Sequence, residues 1–294
     1  MQTHLTASSI GIYVQTSLPG KTTGKVIGVT SKGTFLLFGS STIFLTVNQH
    51  LSPFNIILPP DSHLLVELTV GDSVIYSQNE LLIPERQLTI SLAGVPVWAP
   101  PALLPPQNSD REQFQNARQI LEELLLLVPQ KGFSFLGKES GSDSPEQAAI
   151  RHSTAVFTRS FQSNDLAACL EASLALFGLG TGLTPSGDDW LTGFILYHSI
   201  LNLAKSKSLS PFLRSLGPEL VFSAYRRTTW ISANRLESAL KGWSEGIFIS
   251  VIASIFGDSR VDTTAIAQYL HQFGHSSGVD TFTGIYAACE DHVV

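Results

Sequence analysis

The chain has 294 residues, of which 43% are hydrophobic and only 14% charged, and its 18 basic and 24 acidic residues give a net charge of −6. This length is enough for about two domains with cores of their own. An acidic chain without a cluster of Lys and Arg lacks the basic face that replaces the counterions of a phosphate backbone, so we exclude nucleic acid as a partner.

The low share of charged residues predicts that part of the surface is covered, either by a second copy in a homo-oligomer or by partner subunits. The first residues lack the features of a signal peptide, and the most apolar short run, 247–256, is shorter than the roughly 20 residues that cross a bilayer. We therefore expect a soluble, cytoplasmic protein that does not enter a membrane. Cys169 and Cys289 lie in predicted helices and are expected to be buried, reduced thiols.

Residues 1–95 predict a β-rich domain. Short apolar or alternating runs, separated by Gly, Pro, Asn, Asp and Ser, are typical of a small closed barrel or a sandwich. The predicted strands cover residues 25–30, 34–38, 42–47, 55–58, 64–68, 73–76 and 87–92. His4, His50 and His63 are isolated in this sequence, and we interpret them as loop or surface residues.

Prolines then crowd into residues 96–110, which begin PVWAPPALLPPQ. Proline interrupts both helices and strand pairing, so this segment is predicted to be a linker. Residues 111–294 predict an α-helical domain, and the fold class is therefore α+β. The predicted helices cover residues 111–127, 146–160, 165–177, 186–204, 218–241, 244–256, 262–273 and 277–290.

The sequence GLGTGLTPSGDD, at 178–189, is the most informative stretch of the chain. Its three glycines allow sharp turns and bring bare backbone close to a ligand. Pro185 suits the first position of the following helix, and Ser186 with Asp189 matches a capping box. We predict that this helix begins with free N–H groups, which attract small anions. A capped turn that only joins two helices is the structural alternative.

The pattern S-G-x-D-x-x-T-G occurs twice, at 186–193 and again at 277–284. On a helix its small and polar positions fall on one stripe, and the apolar residues between them cover another. Small residues permit close backbone approach, either between two helices or to a ligand. We predict that the two helices start close together and frame one pocket, where Asp189 and Asp280 serve partly as caps.

Two residues are predicted to be catalytic. Asp188 lies about 100° from Asp189 on an ideal helix, which makes it the freer carboxylate and a candidate to hold a metal, a ligand N–H or a proton; a plain surface position is the alternative. His275 directly precedes the second motif and could donate or accept a proton, unless it is only a turn residue. No metal ligands are identified and no cofactor is predicted, with a divalent cation such as Mg²⁺ as an option.

The sequence AYRRTTWISANR is predicted to complete the site. Arg226 and Arg227 are adjacent, while Thr228, Ser232 and Arg235 recur along one helix face. Because arginine binds carboxylate or phosphate through two parallel hydrogen bonds, we predict that one of these arginines clamps an anion; a solvated helix face is the alternative. The predicted ligand-binding residues are Gly180, Gly182, Thr184, Ser186, Gly187, Asp189, Arg226, Arg227, Thr228, Ser277, Gly278 and Asp280.

These motifs resemble a bacterial family that includes the AllH subunit of oxamate carbamoyltransferase. The resemblance rests on GLGTGLTPSGDDWLTG, RRTTWISANRL and GHSSGVDTFTG, whereas the β-rich part is similar only in layout. It implies a subunit of a multi-subunit transferase that moves a carbamoyl group between phosphate and oxamate in purine-nitrogen (allantoin) breakdown. It assigns no catalytic residue. A non-catalytic subunit that binds a small molecule or serves in assembly is the alternative.

Overall fold

The structure, a computed structural model, describes residues 3–20, 22–60, 62, 68–107, 109–128, 130–138, 143–257, 260–273 and 275–290. His63 and most of the predicted strand 64–68 lie outside these residues. The chain divides into two compact units, residues 1–100 and residues 101–294. Within the described ranges, none of the helices is both long enough and apolar enough to cross a membrane.

The first unit is built on a mixed sheet of ten strands in its described part. Along the sheet the strands run in the order β1-β9-β8-β7-β3-β4-β5-β6-β2-β10, and one short helix, α1 (Ile12–Ser17), follows β2. The strands are β1 (Thr3–Thr6), β2 (Ser9–Gly11), β3 (Thr23–Thr30), β4 (Gly33–Phe38), β5 (Ser41–Thr46), β6 (Asn55–Ile57), β7 (Ser73–Ser77), β8 (Glu80–Ile83), β9 (Leu88–Ser91) and β10 (Val97–Trp98).

The connection between β1 and β2 explains why the sheet curls. The two strands lie near opposite ends of the sheet, yet only Ala7 and Ser8 join them. Two residues span at most about 7 Å, so the two ends must approach each other. The Ala7 N–H donates to the Ser91 carbonyl, and the Ser8 N–H donates to the Ile57 carbonyl, which ties the connection to both ends.

The curled sheet of the first unit and the helices of the second together confirm the α+β class. That the sheet is a small barrel or a sandwich stays a prediction. The curl encloses an apolar core that includes Leu36, Ile43, Leu45 and Ile56. This is the arrangement expected when each strand buries one face of alternating side chains.

The segment predicted as a linker contributes the strand β10, which pairs in parallel with β2. Proline lacks a backbone donor but keeps its carbonyl acceptor. Here the Pro96 carbonyl accepts a hydrogen bond of 3.0 Å from the Ile10 N–H. A proline next to a strand therefore did not prevent pairing, because only its acceptor was needed.

The second unit is helical throughout its described residues, apart from loops and one 3₁₀ turn (Gly132–Gly137). Its helices lie close to the predicted positions, except for the predicted helix 218–241. They are α2 (Asp110–Leu127), α3 (Pro145–Gln162), α4 (Leu166–Leu176), α5 (Ser186–Ser206), α6 (Pro211–Arg227), α7 (Trp230–Leu240), α8 (Gly246–Ile255), α9 (Thr263–Phe273) and α10 (Ser277–Glu290). Cys169 and Cys289 are both buried and form no disulfide, as predicted.

The exception is the predicted helix 218–241, which is two helices, α6 and α7. The chain is extended at Thr228 and Thr229, and the Thr229 hydroxyl accepts a hydrogen bond from the Ser232 N–H as the N-cap of α7. Thr228 therefore does not share a helix face with Ser232 and Arg235, and that part of the sequence interpretation was wrong. A threonine that can cap a new helix offers the backbone an alternative to helix continuation.

Helix α5 is the centre of this unit, because it is buried along most of its length and packs directly on α10. A Cβ atom added to Gly193 would overlap the carbonyl oxygen of Thr281 on α10. A Cβ atom added to Gly284 would in turn overlap the carbonyl oxygen of Trp190 on α5. The contact is reciprocal, since each glycine is the last residue of one copy of the repeat and faces the fifth residue of the other. The small residues of the repeat therefore bring the two backbones into contact.

This crossing predicts that Gly193→Ala and Gly284→Ala each lower the free energy of unfolding by about 2–3 kcal/mol, because the added methyl group must push two backbones apart. The measurement is urea-induced unfolding followed by circular dichroism. Gly217→Ala on α6 is the control, since a Cβ there would meet only the flexible end of the Leu240 side chain. If all three variants unfold at the same urea concentration, the close crossing is refuted.

Candidate functional site

The glycine-rich loop, residues 178–185, connects α4 to α5 and turns at each of its three glycines. Their φ angles are +73° at Gly178, +115° at Gly180 and +97° at Gly182, values that side chains disfavour. A Cβ at Gly180 would also lie 2.7 Å from the amide nitrogen of Ser186. The glycines therefore allow the sharp turns that the sequence predicted, and through these turns the loop folds back over the start of α5.

Both ends of the glycine-rich loop are tied down by side chains. Asp188 accepts a hydrogen bond of 2.9 Å from the Gly178 N–H and a second from the Thr228 hydroxyl. The Thr229 hydroxyl donates to the Leu183 carbonyl at 2.7 Å. The threonine pair between α6 and α7, Thr228 and Thr229, thus fixes the loop through Asp188 and Leu183, and Asp188 fixes its first residue, Gly178.

Asp188 is buried, and the prediction that it is the freer carboxylate, or a surface residue, was wrong. Burial raises the pKa of its carboxyl, and the hydrogen bonds from Thr228 and Gly178 oppose that rise. The prediction took only helical geometry into account, whereas the loop returns to the helix and donates to one carboxylate oxygen, and Thr228 donates to the other. Asp188 therefore positions the loop.

The predicted capping box is absent from the start of α5, where Pro185 is the N-cap and no side chain caps the helix. The Gly187 N–H donates to the Leu179 carbonyl at 2.9 Å, and the Asp188 and Asp189 N–H groups donate to the Pro185 carbonyl. Three helix amides predicted to be free, those of Gly187, Asp188 and Asp189, are therefore engaged by carbonyls of the loop.

The amides with no acceptor belong instead to the loop itself. Within the described part of the chain, none of the N–H groups of residues 180–184 donates to a protein acceptor. Residues 180–183 are exposed to solvent. Successive exposed amides in a turn with positive φ angles form a concave group of donors suited to an anion.

The starts of α5 and α10 are adjacent, as the repeat predicted. The hydroxyl oxygens of Thr184 and Ser277 are 2.7 Å apart, although 93 positions separate these residues in the chain. Each aspartate interacts with the serine of the other copy of the repeat. Burial raises the pKa of both aspartates, and Ser277 opposes this rise at Asp189 as Ser186 does at Asp280. The two copies of the repeat therefore exchange equivalent contacts.

Gly187 and Gly278, both predicted to bind a ligand, instead pack inside the protein. A Cβ at Gly187 would overlap the carbonyl of Leu176, and a Cβ at Gly278 would overlap the side chain of Leu270. Both glycines are buried, so they allow each helix start to approach its neighbours.

A buried cluster of charges lies behind the helix starts. Arg235 forms an ion pair with Asp189, and its second terminal nitrogen lies 3.5 Å from a Glu245 oxygen. Burial alone would lower the pKa of Arg235, but the carboxylates of Glu245 and Asp189 raise it above its ordinary value. For Asp189, burial raises the pKa to about 8 against the opposing effect of Arg235. Arg235 is thus committed to protein carboxylates and is no surface clamp.

Asp280 on α10 is engaged by the 3₁₀ turn. Its Oδ1 accepts a hydrogen bond of 2.6 Å from the Phe133 N–H, and Gly132, at a φ of +55°, leaves room for it. Burial raises the pKa of Asp280 to about 6. The prediction that Asp189 partly caps its own helix was wrong, because no side chain caps α5, whereas the same prediction for Asp280 stays a prediction.

The remaining predicted residues lie on the surface. Arg226 is exposed and stacks over the Phe222 ring, 5.3 Å from the ring centre. Arg227 is exposed at the end of α6, where its backbone carbonyl lies 3.2 Å from the position that a Gly178 Cβ would occupy. His275 is also exposed, just before α10. Of the basic residues predicted to bind the anion, Arg227 is the one whose backbone adjoins the loop.

The aspartates of the site show no sign of a metal centre. In the described ranges, no group of three or more His, Cys, Asp and Glu side chains is arranged to hold a metal ion. Asp188, Asp189 and Asp280 instead accept from backbone amides, a threonine hydroxyl and an arginine.

The raised pKa of Asp280 predicts a specific dependence of stability on pH. The folded protein keeps a proton on Asp280 that the unfolded chain has already released, so the stabilisation is complete below about pH 4 and is lost as the pH rises to about 6. Asp280→Asn cannot release this proton. We expect the variant to become more stable relative to the wild type as the pH rises through this window.

The measurement is the free energy of unfolding in urea at several pH values. Asp165→Asn is the control, because Asp165 is an exposed N-cap and asparagine caps equally well. A difference between Asp280→Asn and the wild type that stays constant over this pH range would contradict the prediction.

Comparison with known proteins agrees with the motifs. No solved structure matches the chain. Residues 176–289 match the model of a family described as oxamate carbamoyltransferase subunit AllH. The match runs from the end of α4 into α10, so it contains the glycine-rich loop, the threonine pair and both copies of the repeat. By this match, the helical segment 176–289 is similar to the oxamate carbamoyltransferase subunit AllH family, as its sequence motifs predicted.

Proposed function

We propose that this chain is a subunit of a carbamoyltransferase of the oxamate carbamoyltransferase type, and that it binds a small anion, carbamoyl phosphate or oxamate, at the glycine-rich loop. The observation that carries the proposal is the family match, which contains the whole loop. The loop supports it by exposing the amides of residues 180–184 without protein acceptors.

The charges around the loop are compatible with an anion. Asp188 and Asp189 lie beneath it, but Gly178 and Thr228 occupy the first carboxylate and Arg235 pairs with the second. Their negative field is thereby reduced at the loop. Arg227 adds an exposed positive charge beside the loop, where a guanidinium group can bind phosphate or carboxylate oxygens.

The proposed reaction joins the amide nitrogen of oxamate to the carbamoyl carbon, while the bond from that carbon to the phosphate oxygen breaks. Negative charge develops on the carbamoyl oxygen as the nitrogen attacks. Backbone amides held in a fixed loop stabilise such an oxyanion without further reorganisation, and this is often the largest contribution to catalysis. The transfer is direct and requires no covalent intermediate on the protein.

The family description, a subunit, leads us to propose partner subunits as well. Two large apolar side chains beside the loop, Leu183 and Trp230, are 49% and 43% exposed. Exposed apolar side chains at a functional site are common where another protein binds. This observation also favours the second candidate function, a subunit that binds a ligand or serves in assembly without catalysing the reaction.

One experiment separates these functions. The chain is mixed with carbamoyl phosphate and oxamate, alone and with its co-purifying subunits, and both binding and phosphate release are measured. Oxamate-dependent phosphate release supports the transferase. Saturable binding without release supports the binding subunit, and a stable complex that binds neither compound supports the assembly role.

Gly182→Ala is expected to weaken binding of carbamoyl phosphate by at least fivefold, because alanine disfavours a φ of +97° and the loop amides would turn away. The measurement is isothermal titration calorimetry. Gly20→Ala in the first unit is a matched control: its φ is +83°, and neither glycine has a heavy atom within 4 Å of its added Cβ. Equal loss of affinity in both variants would show that the loop is not the binding site.

Arg227→Ala is expected to weaken the same binding by roughly fivefold, or about 1 kcal/mol, since an exposed charge contributes modestly. The effect should shrink as the salt concentration rises. Arg159→Ala, which removes an exposed arginine from α3, is the control. Calorimetry at two ionic strengths tests the prediction, and an Arg227→Ala affinity equal to that of the control would exclude the clamp.

A further inference from the structure

The buried cluster behind the loop has more negative than positive groups. Arg235 is its one cation within the described residues, and it faces Asp189 and Glu245, while Asp280 adds a third carboxyl close enough to raise the pKa of Asp189. All four side chains are more than nine-tenths buried. Two uncompensated buried charges would cost several kcal/mol each, so the cluster is built to hold protons.

Among the described residues, two oxygens of this cluster are open to a proton, Asp280 Oδ2 and Asp189 Oδ2. Asp189 Oδ1 pairs with Arg235, whereas Asp189 Oδ2 is buried and receives no aligned hydrogen bond from any described residue. A protonated carboxyl group becomes a donor and then needs an acceptor. The nearby hydroxyls of Ser277 and Thr184, which oppose the rise in the pKa of Asp189, can serve as that acceptor once the carboxyl is protonated.

The same two hydroxyls lead outward to the glycine-rich loop. Thr184 is the last residue of the loop before Pro185, and its hydroxyl lies 2.7 Å from that of Ser277. Both residues are only half-buried, unlike Asp189. The hydroxyl pair therefore lies between the glycine-rich loop and the buried Asp189 carboxyl.

We propose that Thr184 and Ser277 relay a proton between the substrate amide at the glycine-rich loop and Asp189, with Arg235 holding Asp189 in position. This inference rests on the proposed function. Thr184 is the residue that meets the substrate, and Asp189 acts through it. The substrate class is an amide acceptor whose N–H must be lost during transfer.

Three proton transfers accompany the formation of the new N–C bond. As the N–C bond forms, the C–O bond breaks and its electron pair leaves with the phosphate. The amide nitrogen gives its proton to the Thr184 oxygen, Thr184 gives its own to Ser277, and Ser277 gives its own to Asp189 Oδ2. The proton leaves by the reverse path to the released phosphate or to solvent, which restores the carboxylate.

The surroundings of Asp189 suit this role. Its pKa of about 8 lies near neutral pH, where a proton acceptor works best. The titratable and charged groups that face the cluster are Asp188 on α5, Arg235 on α7, Glu245 before α8, Tyr269 on α9 and Asp280 on α10. Burial raises the pKa of Tyr269, which stays neutral in this range.

The test removes the middle of the relay and leaves the buried ion pair intact. For Ser277→Ala in the assembled enzyme, we expect kcat to fall about 100-fold while the Kd for carbamoyl phosphate changes less than threefold. Ser277→Thr, which restores a hydroxyl, should recover most of the rate. The rise of wild-type kcat with pH towards about 8 should be absent from Ser277→Ala. Ser250→Ala, on the exposed face of α8, is the control.

A second measurement needs no turnover. Infrared spectroscopy of the chain without substrate should show a protonated carboxyl band that titrates near pH 8, disappears in Asp189→Asn and shifts in Ser277→Ala. A kcat of Ser277→Ala equal to that of the control, or a band unaffected by Asp189→Asn, would overturn the relay. A chain that shows the band but neither binds nor converts carbamoyl phosphate contradicts the proposed function, and with it the substrate end of the relay, while the buried proton site stands.

Discussion

The contact between the backbones of α5 and α10 determines the geometry of everything around it. Gly193 lies on the Thr281 carbonyl and Gly284 lies on the Trp190 carbonyl, so the backbones of the two helices meet without a side chain between them. At this distance the first residues of both helices are neighbours, and the hydroxyls of Thr184 and Ser277 meet. A larger side chain at either glycine would separate the helix starts before it disturbed anything else.

The crossing also explains why acidic residues occupy so apolar a region. Each helix start places one aspartate against the other helix, and water cannot reach either of them. The protein compensates one with Arg235 and the other with the Phe133 amide. Arg235 and the aspartates thereby stabilise the arrangement of the helices, and the proposed anion site is left to the amides of the glycine-rich loop and to Arg227.

The sequence predicted the elements of this site better than their contacts. Capping residues and C-terminal glycines predicted the ends of most helices. The repeated motif predicted that α5 and α10 start close together. Both predictions follow from patterns of neighbouring residues. The fate of Asp188 could not be predicted, since it depends on a loop that folds back onto its own helix. Thr229 and Ser232 did carry a capping signal that marked the break between α6 and α7, but the helical period of the arginine segment obscured it.

Two further contacts, that of Glu245 and the pairing of β10, could not be predicted from any sequence motif. Glu245 has no motif around it, and it becomes part of the charge cluster only through the packing of α7. β10 pairs with β2 through Val97 and Trp98, and the Pro96 carbonyl before them accepts from the Ile10 N–H, although composition alone assigns this segment to a linker. In both cases the decisive partner is distant along the chain, and a pattern of local residues cannot specify it.

The 93 positions between Thr184 and Ser277 have a consequence for how the protein acquires its site. Closing a chain segment of that length costs on the order of 4 kcal/mol of conformational entropy before any contact forms. Contacts so distant in sequence form slowly and tend to consolidate late in folding. While the chain is being synthesised, the face of α5 that carries Gly193 therefore has no partner until α10 has left the ribosome. Asp189 and Asp280 remain hydrated until then. The charge cluster forms when α10 docks on α5, and the proposed relay depends on the same event.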